Sequence, residues 1–216
     1  MEQYQKDFIE FAIDKQVLCF GEFKLKSGRI SPYFFNAGLF NDGKSLAKLG
    51  KYYAAAVNDA EIKFDMIYGP AYKGIPLAST MAIAFQENYQ TSYPFCFNRK
   101  EIKDHGEGGI TFGANIQGKV LIIDDVISAG TSIRESINII SSKGGTTIAA
   151  VVAVDRQERG ESEQSAIEEV EQQSNIKVIS IVSLDHIITF LAKHSDMREY
   201  LDAIKTYKLQ YGSART

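Results

Sequence analysis

A chain of 216 residues, 44% of them hydrophobic, can bury a substantial core around one site-bearing unit. Its 24 basic and 27 acidic residues leave a formal net charge of −3, which offers no global attraction to nucleic acid or an anionic membrane, so any anion site must be built locally for a small ligand. Two cysteines, Cys19 and Cys96, exclude a disulfide framework and sit in no metal-ligand spacing, so both are expected to be buried thiols.

The first residues are polar and acidic, and no stretch approaches 18 uninterrupted apolar residues, so the expectation is a cytoplasmic protein, neither exported nor membrane-spanning. Phe8, Phe11 and Ala12 set a helical period over 3–17, an amphipathic packing helix. A β-prone section over 20–39 is broken by the turn Lys26-Ser27-Gly28-Arg29. A helix over 44–59 follows. The order then runs strand 64–69, helix 75–88, short strand 94–98, polar loop, strand 119–124, helix 133–143, strand 147–154, helix 163–173, strand 177–182 and two terminal helices. Strands alternating with helices predict an α/β fold with a mainly parallel sheet and helices on both faces. In such sheets ligands sit at the carboxyl ends of the strands. There is no internal repeat or low-complexity linker, and residues 212–216 are expected to fray.

The most informative stretch runs from Val120 to Ser132: Val120-Leu121-Ile122-Ile123, then Asp124-Asp125, then Val126-Ile127-Ser128-Ala129-Gly130-Thr131-Ser132. It reads as a buried strand, two carboxylates at its mouth, and a small-residue loop entering a helix. Small side chains let backbone N–H groups approach a phosphate, and the helix adds its positive N-terminal end. The acid pair can accept hydrogen bonds from sugar hydroxyls or hold a hydrated magnesium ion through its waters. The plainer alternative is an acidic helix cap. No Walker loop and no Gly-x-Gly-x-x-Gly fingerprint occurs.

Three further segments fall at strand ends. Gly69-Pro70-Ala71-Tyr72-Lys73-Gly74-Ile75-Pro76 is a tight loop with one ammonium group, which suits pyrophosphate or is an ordinary turn with a solvated lysine. Residues 99–109 carry Arg99, Lys100, Lys103 and His105 among acids and glycines, either a solvated loop or a lid that closes on a polyphosphate. Its acids Glu101, Asp104 and Glu107 nearly cancel the charge, against nucleic-acid binding. In Asp155-Arg156-Gln157-Glu158-Arg159-Gly160, Arg156 can fork onto a substrate carboxylate or pair with Asp155 or Glu158, and composition does not decide.

The stretch from Val120 to Ser132 resembles the phosphoribosyl-pyrophosphate (PRPP) motif of the type I phosphoribosyltransferases. Further matches point to the orotate branch and cover essentially the whole chain: Lys24-Leu25-Lys26-Ser27-Gly28-Arg29, Ser31-Pro32-Tyr33-Phe34-Phe35-Asn36-Ala37-Gly38, the loops over 69–76 and 155–160, and Phe97-Asn98-Arg99-Lys100 with Lys103-Asp104-His105-Gly106-Glu107-Gly108. The resemblance implies the type I phosphoribosyltransferase fold as a single domain over 1–216. Its parts would be an N-terminal hood over about 1–40, a core over about 41–185 and C-terminal helices over about 184–210.

It also implies a reversible, magnesium-dependent transfer from PRPP to orotate, giving orotidine 5′-monophosphate and pyrophosphate, a step of UMP synthesis. Carried over residue by residue, Lys26, Tyr72, Lys73, Arg99, Lys100, Lys103 and His105 contact PRPP or pyrophosphate. Asp124 and Asp125 hold the ribose hydroxyls, and Val126, Ile127, Ser128, Ala129, Gly130, Thr131 and Ser132 hold the 5′-phosphate. Phe34, Phe35, Ser128 and Arg156 line the orotate site; by strand alternation only one of the two phenylalanine rings can face the base. Ser128 stands where close relatives have Thr. Lys103, His105, Asp124 and Asp125 are the expected catalytic residues, Lys103 the most rate-sensitive. Magnesium is expected mainly on the pyrophosphate and water, with the two aspartates indirect partners. A non-proline cis peptide is implied at Ala71–Tyr72, and a homodimer whose lid completes the partner's site.

Two other readings use the same residues. A transferase for another base would share the PRPP loop but lack the Phe34-Phe35 and Arg156 combination. A PRPP-sensing regulator would carry a DNA-binding helix-turn-helix or a basic RNA-binding face, and neither is present. His186 and His194 read as surface or packing residues.

Overall fold

The computed structural model describes residues 1–25, 27–103, 109–160 and 162–213, the side chains of Ile102 and Lys103 excepted. Helix α1 (Gln3–Asp14) presents Phe8, Ile9, Phe11 and Ala12 to the core. It stops short of the expected end because Gln16 turns left-handed at φ +55°, and the N–H of Val17 returns to the Ala12 carbonyl at 2.8 Å. That satisfies carbonyls the last turn leaves open. The antiparallel pair β1 (Leu18–Lys24) and β2 (Ile30–Phe35) follows as a separate two-stranded sheet. Then comes α2 (Gly43–Asp59), capped by the Asp42 carboxylate, which accepts from the Ser45 N–H at 2.7 Å.

The main sheet is built from β3 (Met66–Gly69), β4 (Phe95–Lys103), β5 (Gly109–Gly113), β6 (Lys119–Ile123), β7 (Thr146–Asp155) and β8 (Lys177–Ser183). Among the described residues its order is β5-β4-β3-β6-β7-β8, parallel throughout except for β5, which runs antiparallel on the β4 edge. Helix α3 (Gly74–Tyr89) carries the chain from β3 outward to β4, whereas β6 returns to the other side of β3 and α4 (Thr131–Ser142) continues to β7. The direction of winding reverses between β3 and β6, and such a switch point opens a crevice at the strand ends.

Period-two alternation divides the interior. Ile67, Leu121, Ile123, Ala149 and Val151 join α1, α2, α3 and the later helices α6 (Leu184–Leu191) and α7 (Arg198–Tyr211) in one cluster. Met66, Tyr68, Val120, Ile122 and Ala150 join α4 and α5 (Ala166–Ser174) in the other. Both sheet faces are therefore covered, as the apolar strands require. Among the described residues no helix is long and apolar enough to cross a membrane.

Four expectations are corrected. The polar loop after residue 98 is largely a hairpin, since an antiparallel pair at a sheet edge keeps a solvated face and needs no continuous apolar run. Helix α5 starts later than expected, where Ser165 and Glu168 form a reciprocal capping box. Cys19 is only half-buried, although Cys96 is buried. Gly212 and Ser213 do not fray: Gly212 bridges to Glu158, and the Ser213 N–H donates to the Gln157 carbonyl at 3.0 Å. His186 and His194 serve capping and packing, with His194 stacked on Phe190 at 4.2 Å and the Ser183 N–H donating to Nδ1 of His186 at 3.0 Å.

Candidate active site

The loops after β3 and β6 flank the crevice. After β3, Gly69 and Gly74 pack so closely that a Cβ on Gly69 would lie 2.1 Å from the Gly74 carbonyl oxygen. Only glycine permits this turn. The Ala71–Tyr72 peptide bond is cis, as the resemblance implied, and the Ala71 N–H donates to Oδ1 of Asn98 at 2.8 Å, tying the loop to β4. Tyr72 is 70% exposed. Lys73 reaches across the crevice, its Nζ 2.5 Å from Oδ2 of Asp125.

At the end of β6 the acid pair is still stitched to β7: the Asp124 N–H donates to the Val151 carbonyl at 3.0 Å, and the Ala153 N–H to the Asp125 carbonyl at 2.8 Å. Asp124 and Asp125 are both buried. Oδ1 of Asp124 accepts from the Asp125 N–H at 2.9 Å, and Oδ2 from the Ser132 hydroxyl at 3.1 Å. The Tyr53 hydroxyl, from α2, donates to the Asp124 backbone carbonyl at 2.9 Å. Burial, reinforced by the Asp125 charge, pushes the Asp124 carboxyl up to about 6.

From Val126 the chain leaves the ladder. Ser128, Ala129, Thr131 and Ser132 are exposed, Val126 and Ile127 half-buried, and Gly130 is buried with φ +69°. Among the described residues no side chain caps α4, whose first turn carries N–H groups with no intrahelical partner. The Arg134 guanidinium braces the loop by donating to the Ala129 carbonyl.

At the end of β7, Arg156 does pair with Glu158, the alternative that composition left open. Its Nε and Nη2 donate to Oε1 of Glu158 at 3.0 and 2.8 Å. Its guanidinium lies 4.7 Å from the centre of the Tyr33 ring, and the Tyr33 hydroxyl donates to the same Oε1 at 3.0 Å. Asp155 instead accepts from the Gln157 N–H at 2.9 Å. The hairpin β1–β2 is thereby docked on this strand end, helped by Arg29, whose Nη1 donates to the Arg159 carbonyl at 2.9 Å.

The phenylalanines separate as alternation requires. Phe34 is 40% exposed and stacked on Phe23 at 5.6 Å, whereas Phe35 is 8% exposed and packs in the core beside Phe8. Lys100 is exposed on β4. Arg99 is engaged within the hairpin, its Nη1 donating to the Gly109 carbonyl at 3.1 Å. Lys26, His105 and the Lys103 side chain lie outside the described residues. Sequence reasoning names Glu158 as one possible partner of Arg156 but misses Tyr53, Asn98 and Tyr33, which act through contacts remote in the chain.

A mainly parallel sheet with an acid pair and small-residue cradle at its switch point is the arrangement of a phosphoribosyltransferase class of site, and a model of the phosphoribosyl transferase domain matches residues 38–186. The chain is 58% identical over 212 residues to the orotate phosphoribosyltransferase of Vibrio vulnificus (strain YJ016), covering 98% of this chain and 100% of that one. It is 57% identical over 212 residues to that of Pectobacterium carotovorum subsp. carotovorum (strain PC1), with the same coverage. The crystal structure of orotate phosphoribosyltransferase from Francisella tularensis superposes with a TM-score of 0.87 at 42% identity, over 96% of this chain and 100% of that one. The chain belongs to the orotate phosphoribosyltransferase family, with the type I phosphoribosyltransferase fold.

Proposed function

We propose that the crevice transfers the 5-phosphoribosyl group of PRPP to orotate, releasing pyrophosphate and forming orotidine 5′-monophosphate in pyrimidine synthesis. The observation that carries this reading is the meeting of Asp124-Asp125 with the glycine loop of β3 through Lys73, beside an uncapped α4 N-terminus. Residues 126–132 bind the 5′-phosphate through backbone N–H groups. Asp124 and Asp125 accept hydrogen bonds from the ribose hydroxyls and offset positive charge developing on the sugar as its bond to pyrophosphate breaks. Tyr72 and Lys73 grip the pyrophosphate. Arg99 and Lys100, with Lys103, His105 and Lys26 outside the described residues, add donors from the lid and the hood.

Orotate binds between Phe34, the backbone at Phe35, Ser128 and Arg156, whose guanidinium neutralises its carboxylate. Attack by the ring nitrogen on C1′ then needs placement and charge stabilisation more than a covalent partner. Lid closure over 99–109 excludes water.

Among the described residues no cluster of three or more acidic, histidine or cysteine side chains could enclose a metal. Two carboxylates with hard oxygen donors still suit a magnesium ion held mainly by substrate phosphates and water, with Asp124 and Asp125 its indirect partners. When bound, the ion neutralises the leaving pyrophosphate. The protein is read as a cytoplasmic homodimer of single-domain chains, each lid serving the partner's site.

The test is the loss of orotate absorbance with purified protein. Conversion requiring both PRPP and Mg²⁺ supports the reading, and no conversion, or equal conversion of another base, refutes it.

A further inference from the structure

The proposed base site contains a half-buried acid that the reaction itself does not require. Glu158 directs one oxygen, Oε1, at three donors: Nε of Arg156 at 3.0 Å, Nη2 of Arg156 at 2.8 Å and the Tyr33 hydroxyl at 3.0 Å. Tyr33 is fully buried, and its ring also forms the face on which the Arg156 guanidinium lies, 4.7 Å from the centroid. Nη2 of Arg156 has a further, longer contact to the Ser31 hydroxyl at 3.4 Å. Among the described contacts, Nη1 alone has no partner. The guanidinium is therefore gripped along one edge and over one face, with one nitrogen left over.

We propose that Glu158 is the positioning residue for base selection: with Tyr33 it fixes the plane and edge of Arg156, so that the remaining N–H groups meet a substrate carboxylate in a single orientation. The inference rests on the reading that Arg156 binds the orotate carboxylate. An unrestrained arginine loses much rotamer freedom on binding, and a guanidinium held beforehand does not. Glu158 also places a negative charge near an anionic substrate, which opposes binding. The two influences have opposite signs on the orotate KM, and Oε1 lies on the Nε edge of the guanidinium, away from Nη1, which favours the positioning role.

The turn itself does not depend on this side chain. The Glu158 backbone bridges to Gly212, and the Arg159 N–H donates to the Tyr211 carbonyl at 2.9 Å, so Glu158→Ala keeps its main-chain anchors.

The experiment measures the KM of both substrates and kcat for Glu158→Ala, Glu158→Gln and Tyr33→Phe, and for Glu158→Ala combined with Arg156→Ala. Glu158→Ala should raise the orotate KM about tenfold while the PRPP KM stays within about twofold. Glu158→Gln, which keeps an acceptor oxygen, should recover most of that loss. In the Arg156→Ala background the same change should add less than about twofold, because Glu158 acts only through Arg156.

A lowered orotate KM, equal weakening of both substrates, or an undiminished effect on top of Arg156→Ala would each overturn the proposal. Should Glu158→Ala fail to fold, Tyr33→Phe, which removes one of the three donors, decides: a selective rise in orotate KM supports the clamp and no change overturns it. The parent reading is judged separately by Arg156→Ala alone. If that variant leaves the orotate KM unchanged, the base-site assignment falls and the clamp with it. If Arg156→Ala raises it selectively and the Glu158 and Tyr33 variants do not, the clamp alone falls.

Discussion

Lys73 and Asp125 meet at 2.5 Å across the switch point, joining the turn after β3 to the acid pair after β6. The Lys73 side chain is 62% exposed and that of Asp125 only 8%, so the contact holds an exposed cation against a buried anion. Under the proposed function, a bound pyrophosphate would compete with Asp125 for Lys73. Lys73→Ala should lower kcat/KM for PRPP by about 10- to 100-fold through loss of a charge-assisted contact, with little change in orotate KM. Steady-state kinetics with each substrate varied in turn checks this; equal loss for both substrates would contradict it.

The Asp124 carboxyl, pushed up to about 6 by burial and the neighbouring Asp125 charge, has a folded-state value above its unfolded one. Between those values the native state binds more protons than the unfolded chain, so this group's contribution to stability falls as pH rises from near 4 to above 6. Asp124→Asn removes that dependence. In urea titrations without substrates, the variant should gain ~2–3 kcal/mol relative to wild type on going from pH 4 to pH 7.5. A difference that stays constant with pH would show that the carboxyl titrates normally.

At Gly69, a Cβ would press into the Gly74 carbonyl at 2.1 Å, and backbone atoms have no rotamer by which to yield. Gly69→Ala should cost ~1–3 kcal/mol and weaken PRPP binding as the turn is forced open. Gly43, whose added Cβ would meet nothing within 4 Å, supplies the control. Gly43→Ala should change stability by less than ~0.5 kcal/mol. Thermal unfolding of the two variants, with and without PRPP, makes the comparison.

If each lid serves the partner's site, Lys103→Ala and Asp125→Asn should be nearly inactive as separate dimers and complement when mixed. A heterodimer then has one site with both defects and one with neither, so random re-pairing should restore about a quarter of wild-type activity. Confirmed subunit exchange without recovery would refute the trans arrangement.

The residues that show themselves in the sequence are those whose chemistry is local. An apolar run followed by Asp124-Asp125 and a small-residue loop has one economical placement at the mouth of a parallel strand, and the alternation of strands and helices supplies the sheet. Phe34 and Phe35 separate by the pleat alone. Long-range partners leave no such trace. The choice of Glu158 over Asp155 for Arg156 depends on Tyr33, which arrives 125 positions earlier in the chain, and on the Gln157 N–H that occupies Asp155. The β4–β5 hairpin was hidden because its polar face matches the composition of a loop. The left-handed Gln16 that ends α1 occupies a position where glycine is the usual signal.

The acid pair remains in the β6–β7 ladder through Val151 and Ala153, and Arg156 begins one residue past β7. The backbones of Asp124-Asp125 and Arg156, to which the proposed function assigns sugar and base, are thus offset by neighbouring strands, whose separation in any sheet is about 4.8 Å. That distance is a property of peptide hydrogen bonding, not of loop conformation. Under the proposed function it fixes the spacing between the backbones that would hold ribose and base. Under the proposed function, changes in the turn over 155–160 would act on base choice without moving the Asp124-Asp125 backbone, and changes in the cradle over 126–132 would retune phosphate grip without disturbing that spacing.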